Sequence, residues 1–367
     1  MPTLVITNDF PPSIGGIEAF VAQVCELLGD VVVLTRRSPG SEEVDRALPF
    51  PVHRHGRVLL PTATVARAAE RLVAEHAVDR VLFGAAAPLG LLAPRLRAAG
   101  VARLLAISHG HETWWARVPG ARQALRRIGE HVDAVSFISG FTRDAIAPAL
   151  SPAARARMIR MAPPVDTNRF KPTGTTGTRP TVIAAGRFIR QKGFDTLLAA
   201  WSLVLGAWPQ DRLAPELVLV GDGPLRDSLA ESAARLPRPG CVRFVGPVAH
   251  RAMPAIMASG HVFALPVRTR LGGLNPEGLG MVFAEAAACG LAVVAGDSGG
   301  TRDTLVEGES GVLVPPDDPH ALASVLVELL TDLPRIQAMG VAGRAHVRER
   351  FSPDATAAAL HRVLDPG

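Results

Sequence analysis

Glu277 and Glu285 stand eight residues apart, with Gly278, Leu279 and Gly280 following the first and an apolar run extending to Cys289. A Gly-rich turn before an Ala-rich apolar run predicts a buried helix entered through a tight loop. Gly278 and Gly280 let backbone approach a ligand closely. The helix behind them offers free N–H groups and the positive end of its dipole to phosphate or sugar oxygens. By the helical period, Glu285 falls about two turns beyond Glu277 on roughly the same side. Two acids on one buried face are costly unless they hold something. Taken alone, the pair reads more readily as a helix carrying one glutamate in its first turn and another in a salt bridge, since two glutamates at this spacing often occur by chance.

A second chemical element is Gly186-Arg187-Phe188-Ile189-Arg190-Gln191-Lys192-Gly193. It follows an apolar strand and precedes a helical stretch. Arg187 as a bidentate donor and Lys192 as a point charge, beside a helix N-terminus, make a clamp for a diphosphate. A third is the loop from Asn8 to Glu18, where Gly15 and Gly16 can bring backbone N–H groups onto a phosphate or simply turn the chain into helix one. It is neither a GxGxxG fingerprint nor a P-loop. A fourth is Ser108-His109-Gly110-His111-Glu112. Its spacing offers no HExxH helix and no further clustered ligands, so no metal site is expected. His109 at a strand end either bonds within its own loop or reaches into a cleft and donates to a sugar hydroxyl. Trp114 and Trp115 follow, as an apolar wall for an acceptor or as packing.

These residues need rigid elements behind them. Short apolar strands alternate with helix-length amphipathic stretches, the pattern of βα units and a parallel sheet. Strands are expected at 4–7, 31–35, 80–83, 103–107, 134–138 and 158–161, with a helix through Leu28. The run 160–178 carries Pro163, Pro164 and Pro172 among polar residues and reads as an interdomain linker. A second series opens with 180–186, followed by a strand at 217–220, a strand and its loop over 242–248, a strand end over 262–268 and a strand at 291–295. Arg270, Gly272 and Gly273 lead to Asn275-Pro276 and the paired glutamates, a glycine-rich approach expected to order on sugar binding. The tract from Asp317 is expected to be helical, punctuated by Pro334 and Ser352-Pro353.

Composition narrows the classes. The chain has 367 residues, 48% of them apolar, enough for two domains. The net charge of +5 is scattered, and aromatic content is 5%, too diffuse for nucleic-acid binding. Two basic amphipathic pieces, 67–72 and 117–128, fit either a solvated face or docking on anionic lipid. The three cysteines, Cys25, Cys241 and Cys289, have no metal spacing and read as small buried hydrophobes in a reducing compartment. Neither a leader nor a membrane-spanning run is apparent, so the expected place is the cytoplasm, peripheral to the membrane. A two-domain dehydrogenase fails on the missing GxGxxG after strand one.

Taken in order, Gly15-Gly16, His109, Arg187/Lys192 and Glu277…Glu285 resemble the motifs of the retaining glycosyltransferases of family 4. The resemblance spans nearly the whole chain. It implies an α/β fold of two facing Rossmann-like domains, the GT-B arrangement, with parallel sheets and a C-terminal helix crossing back to the N-terminal domain. The implied boundaries are 1–165 for acceptor binding, 166–350 for donor binding and 351–367 for the returning helix. Gly15 and Gly16 would face the donor diphosphate and His109 the sugar. Arg187 and Lys192 would take the leaving diphosphate, and Val248 would lie by the base. Glu277 and the Gly278-Leu279-Gly280 backbone would hold the sugar, and Glu285 the ribose. Thr7–Pro12, His109–Glu112, Arg268-Thr269-Arg270 and Glu277–Gly280 resemble the branch of the family that mannosylates lipid-linked inositol. That implies GDP-mannose as donor, a lipid-linked acceptor and no metal or other cofactor. A relative using a GDP- or UDP-sugar on another acceptor would share every donor motif. A non-catalytic nucleotide-sugar-binding protein of the same fold would bind the donor without turnover.

Overall fold

The computed structural model describes residues 2–13, 15–110, 112–174, 177–270 and 276–365. The chain divides into two compact units. One comprises Met1–Pro164 with Pro353–Gly367, the other Val165–Ser352.

Among the described residues the N-terminal unit holds seven strands: β1 Thr3–Thr7, β2 Val31–Thr35, β3 Val52–Arg54, β4 Arg80–Phe83, β5 Arg103–Ala106, β6 Ala134–Phe137 and β7 Ile159–Arg160. They form one parallel sheet in the order β3-β2-β1-β4-β5-β6-β7. β1 and β2 are buried along their whole length, as unbroken apolar runs covered on both faces require. The reversal of order between β1 and β4 is the switch point at which open α/β sheets bind ligands.

Helix Gly16–Leu28 packs Phe20, Val21, Val24 and Cys25 onto one face of this sheet. Helix Pro353–Leu364 joins the same core through Leu360, Val363 and Leu364. Its Thr356 hydroxyl donates to the Ala162 carbonyl at 3.0 Å. The last helix therefore belongs to the N-terminal unit although it lies at the far end of the sequence.

The C-terminal unit holds β8 Thr181–Ala185, β9 Glu216–Val220, β10 Val242–Gly246, β11 Val262–Leu265, β12 Ala292–Gly296 and β13 Gly311–Val314. These are also all parallel, in the order β10-β9-β8-β11-β12-β13. The switch point here lies between β8 and β11. Helices Pro319–Thr331 and Leu333–Arg350 supply the expected C-terminal helical tract, each capped by an aspartate, Asp318 and Asp332.

Two strands lie outside the sequence expectations, β3 and β13, and both are edges. β3 is three residues long and only half-buried, so its apolar signal is weak. The expected strand at 158–161 shortens to β7, also an edge. Within the stretch read as a linker, Asp166 Oδ1 accepts from the backbone N–H groups of Asn168 and Arg169. Phe170 is buried in the C-terminal unit. All three cysteines are free and buried.

Candidate active site

In the C-terminal unit a cavity of about 360 Å³ opens at the carboxyl ends of β8, β9, β10 and the segment after β11, across the switch point. Arg187, Lys192, Val248, Glu277, Gly280 and Glu285 all line it. Six residues picked from the sequence over a span of about a hundred positions thus meet in one place. Gly278 and Leu279 lie between Glu277 and Gly280 without lining the cavity, and the Leu279 side chain is buried.

The helix predicted behind the glutamates is Met281–Ala288, shorter than the apolar run that announces it. Phe283, Ala284 and Ala286 through Ala288 are buried, which fixes the rotation of the helix and sends Glu285 to the cavity. Gly280 caps it with φ +81°, a left-handed conformation that side chains other than glycine's adopt only at a cost. Glu277 stands outside the helix, three residues before this cap.

The Glu277 loop is held from several directions. Gly300 N–H donates to the Glu277 carbonyl at 2.9 Å, and Gln191 Nε2 donates to the Pro276 carbonyl at 3.1 Å. Ser298 Oγ lies 2.7 Å from Thr269 Oγ1 and accepts from Glu277 N–H at 3.5 Å. Gly299 has φ +59°, and a Cβ there would collide with the Glu277 carbonyl oxygen. Gly272, Gly273 and Asn275, in the approach to this loop, lie outside the described residues.

Lys192 Nζ donates to Glu277 Oε2 at 2.7 Å, with the side chains 21% and 13% exposed. At that burial the pair is screened far less than a surface ion pair. Arg187 is exposed at the cavity, and no described residue engages its guanidinium. The site therefore presents one available guanidinium, one ammonium shared with a carboxylate, and the N-terminal end of a helix. That set can neutralise a diphosphate and hold sugar hydroxyls at its border.

Glu285 Oε1 lies 2.7 Å from His250 Nε2. Sequence reasoning missed His250. Its separation from Glu285 carries no spacing signal, and only its nearness to Val248 places it by the cavity. Met253 and Met281, apolar cavity walls, were missed as well, since an apolar side chain in an apolar run reads as core.

In the N-terminal unit, His109 follows the end of β5. Its Nε2 lies 2.5 Å from the Gly84 carbonyl, which only accepts, so Nε2 carries the hydrogen. The ring meets Phe20 edge-on at 5.7 Å between centroids. Phe20 sits on helix Gly16–Leu28, whose N-cap is Gly15. His109 and the paired glycines are thereby brought to the same end of this sheet. Glu112, fully buried, accepts from the Ser108 hydroxyl at 3.0 Å and the His109 N–H at 3.1 Å, setting the loop backbone. His111 lies outside the described residues.

Comparison with known proteins follows the same division. A family model described as Glycosyltransferase Family 4 matches residues 14–169, and one described as Glycosyl transferases group 1 matches residues 179–332. The GDP-mannose-dependent alpha-(1-6)-phosphatidylinositol monomannoside mannosyltransferase of Mycobacterium tuberculosis is 41% identical, over 98% of this chain and 97% of that one. The GDP-mannose-dependent monoacylated alpha-(1-6)-phosphatidylinositol monomannoside mannosyltransferase of Corynebacterium glutamicum is 37% identical, over 99% and 97%. Among solved structures, Anabaena HepE in complex with UDP superposes over 100% of both chains with a TM-score of 0.80 at 19% identity, a likeness of fold.

Proposed function

The chain belongs to glycosyltransferase family 4, and from that membership we propose that it transfers mannose from GDP-mannose to a phosphatidylinositol mannoside, forming an α-(1-6) linkage. The observation that carries the reading is the convergence of Arg187, Lys192, Glu277 and Glu285 on one cavity at the switch point of the C-terminal sheet. Identity of 41% to the mycobacterial mannosyltransferase over nearly the full length of both chains supports the choice of donor and acceptor.

The proposed reaction is transfer with retention of configuration. The bond between the anomeric carbon and the diphosphate breaks, and negative charge builds on the departing phosphate. Arg187 and Lys192 neutralise it, so the reaction uses no metal ion. The sugar becomes oxocarbenium-like, and the acceptor hydroxyl attacks on the face the diphosphate leaves. The departing diphosphate accepts the proton of that hydroxyl. Glu277 holds sugar hydroxyls, and in doing so exchanges Lys192 for the sugar as its partner. Glu285 holds the ribose. By resemblance, Gly15 and Gly16 serve the diphosphate and His109 the transferred sugar, with the His109 ring already oriented by Gly84 and Phe20.

The acceptor is a lipid, and among the described residues no helix is long and apolar enough to cross a membrane. We assign lipid-surface contact to helices Ala63–Glu75 and Pro119–His131, where Arg67, Arg71, Arg126 and Arg127 are exposed, and to exposed Trp114 beside the second. The enzyme would then work at the cytoplasmic face of the membrane.

Thermal stabilisation by GDP, GDP-mannose, UDP and UDP-glucose tests the donor. A shift confined to the GDP pair, growing as concentration passes Kd, is expected. A shift with the UDP pair alone would overturn the mannose assignment. A shift with GDP-mannose but no transfer to any lipid acceptor would point to a binding protein instead.

A further inference from the structure

Glu285 owes its orientation to a relay of two residues that nothing above assigns a role. Arg169 Nη2 lies 2.6 Å from His250 Nδ1 and 3.0 Å from the His250 carbonyl. A guanidinium only donates, so Nδ1 must accept, and the imidazole hydrogen sits on Nε2. Nε2–H then donates to Glu285 Oε1 at 2.7 Å. The hydrogen-bond directions run one way along the whole chain, Arg169 to His250 to Glu285. The ring is also held by packing. Phe170, buried, has its centroid 5.4 Å from that of His250, and Arg169 Cζ lies 5.1 Å from the Phe170 centroid.

Two consequences follow from the placement. Glu285 lines the cavity, its side chain is 16% exposed, and among the described residues its other carboxylate oxygen has no side-chain partner. One oxygen is anchored and the other is left for a ligand. Further, His250 stands two residues after Val248, which lines the cavity together with Pro247. The residue that sets the carboxylate therefore follows the loop that the resemblance assigns to the base.

We propose that His250, oriented by Arg169, is the positioning residue that aims the Glu285 carboxylate at the vicinal hydroxyls of the donor ribose, making it a determinant of ribonucleotide selectivity. This rests on the reading of Glu285 as the ribose ligand. A hydrogen bond from an imidazole whose other nitrogen accepts from Arg169 suits the task better than a lysine would. It fixes the carboxylate without cancelling its charge, and so leaves a full acceptor for two hydroxyl groups.

The test compares the Kd of GDP with that of 2′,3′-dideoxy-GDP by titration calorimetry. Hydrogen bonds to a carboxylate give the wild-type protein about a tenfold to hundredfold preference for GDP. Glu285→Ala should abolish the preference. His250→Ala should reduce it severalfold by weakening GDP alone, leaving the dideoxy nucleotide unaffected. A general loss of structure would weaken both. His250→Gln, whose amide can still donate to Glu285, should restore the preference, and Arg169→Ala should give an intermediate value. If Glu285→Ala loses the preference while His250→Ala keeps it, the relay is overturned and the ribose reading stands. If Glu285→Ala keeps the preference, the ribose reading falls and the relay with it.

Discussion

The bond between Lys192 and Glu277 sets up a competition that can be measured. In the free site the ammonium faces a carboxylate at 2.7 Å, yet the proposed chemistry needs it on the diphosphate. Replacing Lys192 with Met keeps the stem and removes the charge. A hydrogen bond between charged groups contributes about 1.5–3 kcal/mol, and tenfold in Kd is about 1.4 kcal/mol. The side chains are 21% and 13% exposed, so solvent screening trims this figure without erasing it. GDP should therefore bind Lys192→Met about tenfold to a hundredfold more weakly. The uncompensated Glu277 then repels the diphosphate and adds to the loss. Glu277→Gln should act in the opposite direction. It frees Lys192, so GDP affinity is retained or rises, while transfer falls by at least about a hundredfold because the sugar loses its charged partner. Calorimetric titration of GDP into the wild type, both single variants and the double variant reads the first effect and the coupling together. If Lys192→Met binds GDP within twofold of wild type, Lys192 is not part of the diphosphate clamp. If Glu277→Gln weakens GDP as much as Lys192→Met does, the two do not compete and the reasoning fails.

Other expectations follow from the same geometry. Gly299→Ala places a Cβ against the Glu277 carbonyl at a left-handed φ, so transfer should collapse while circular dichroism shows a folded protein that melts somewhat earlier. Burial holds the His261 imidazole below its ordinary pKa of 6.5, and its Nδ1 accepts from Thr181 N–H at 3.2 Å. The unfolded chain therefore takes up this proton at a higher pH than the folded one. Stability should fall as pH drops through 6.5 toward the lower folded value, by at most about 1.4 kcal/mol per pH unit for this group. His261→Asn keeps an acceptor and cannot be protonated, so urea melts between pH 7 and pH 5 should show a flatter decline. Burial pushes the Cys25 and Cys289 thiols up to about 12, so neither should react with a thiol reagent at pH 8 until the protein is unfolded by denaturant.

The interior strands of both sheets were legible because parallel strands covered on two faces must be continuous apolar runs, as Val31–Thr35 and Thr181–Ala185 are. Edge strands escape that requirement: β3 has a single apolar residue, Val52, whereas β13 does carry the short run Val312-Leu313-Val314, between a glycine and two prolines. Arg187, Lys192, Glu277 and Glu285 could be picked out because each sits in a loop or helix turn at a strand's carboxyl end, where glycines mark the chain's exit. Their meeting in one cavity was not legible from periodicity. It depends on strand order, which places β8 beside β11 although three helices and two strands separate them in sequence. The pairing of Lys192 with Glu277 is likewise a product of three dimensions, since each residue alone reads as a ligand group. His250 and Arg169 were the hardest to see. One follows an unremarkable loop and the other stands in a proline-rich stretch that reads as linker, and they are joined only in the folded chain, by two hydrogen bonds from Arg169 to His250 and by packing on Phe170.

The most direct test of the central claim is to incubate the purified protein with GDP-mannose and vesicles containing phosphatidylinositol monomannoside, and to weigh the extracted lipid by mass spectrometry. The lipid should gain one hexose, with linkage analysis giving α-(1-6), and Arg187→Ala should lose the product while remaining folded. Addition of hexose from UDP-glucose but not from GDP-mannose, or hydrolysis of GDP-mannose with the lipid unchanged, would contradict it.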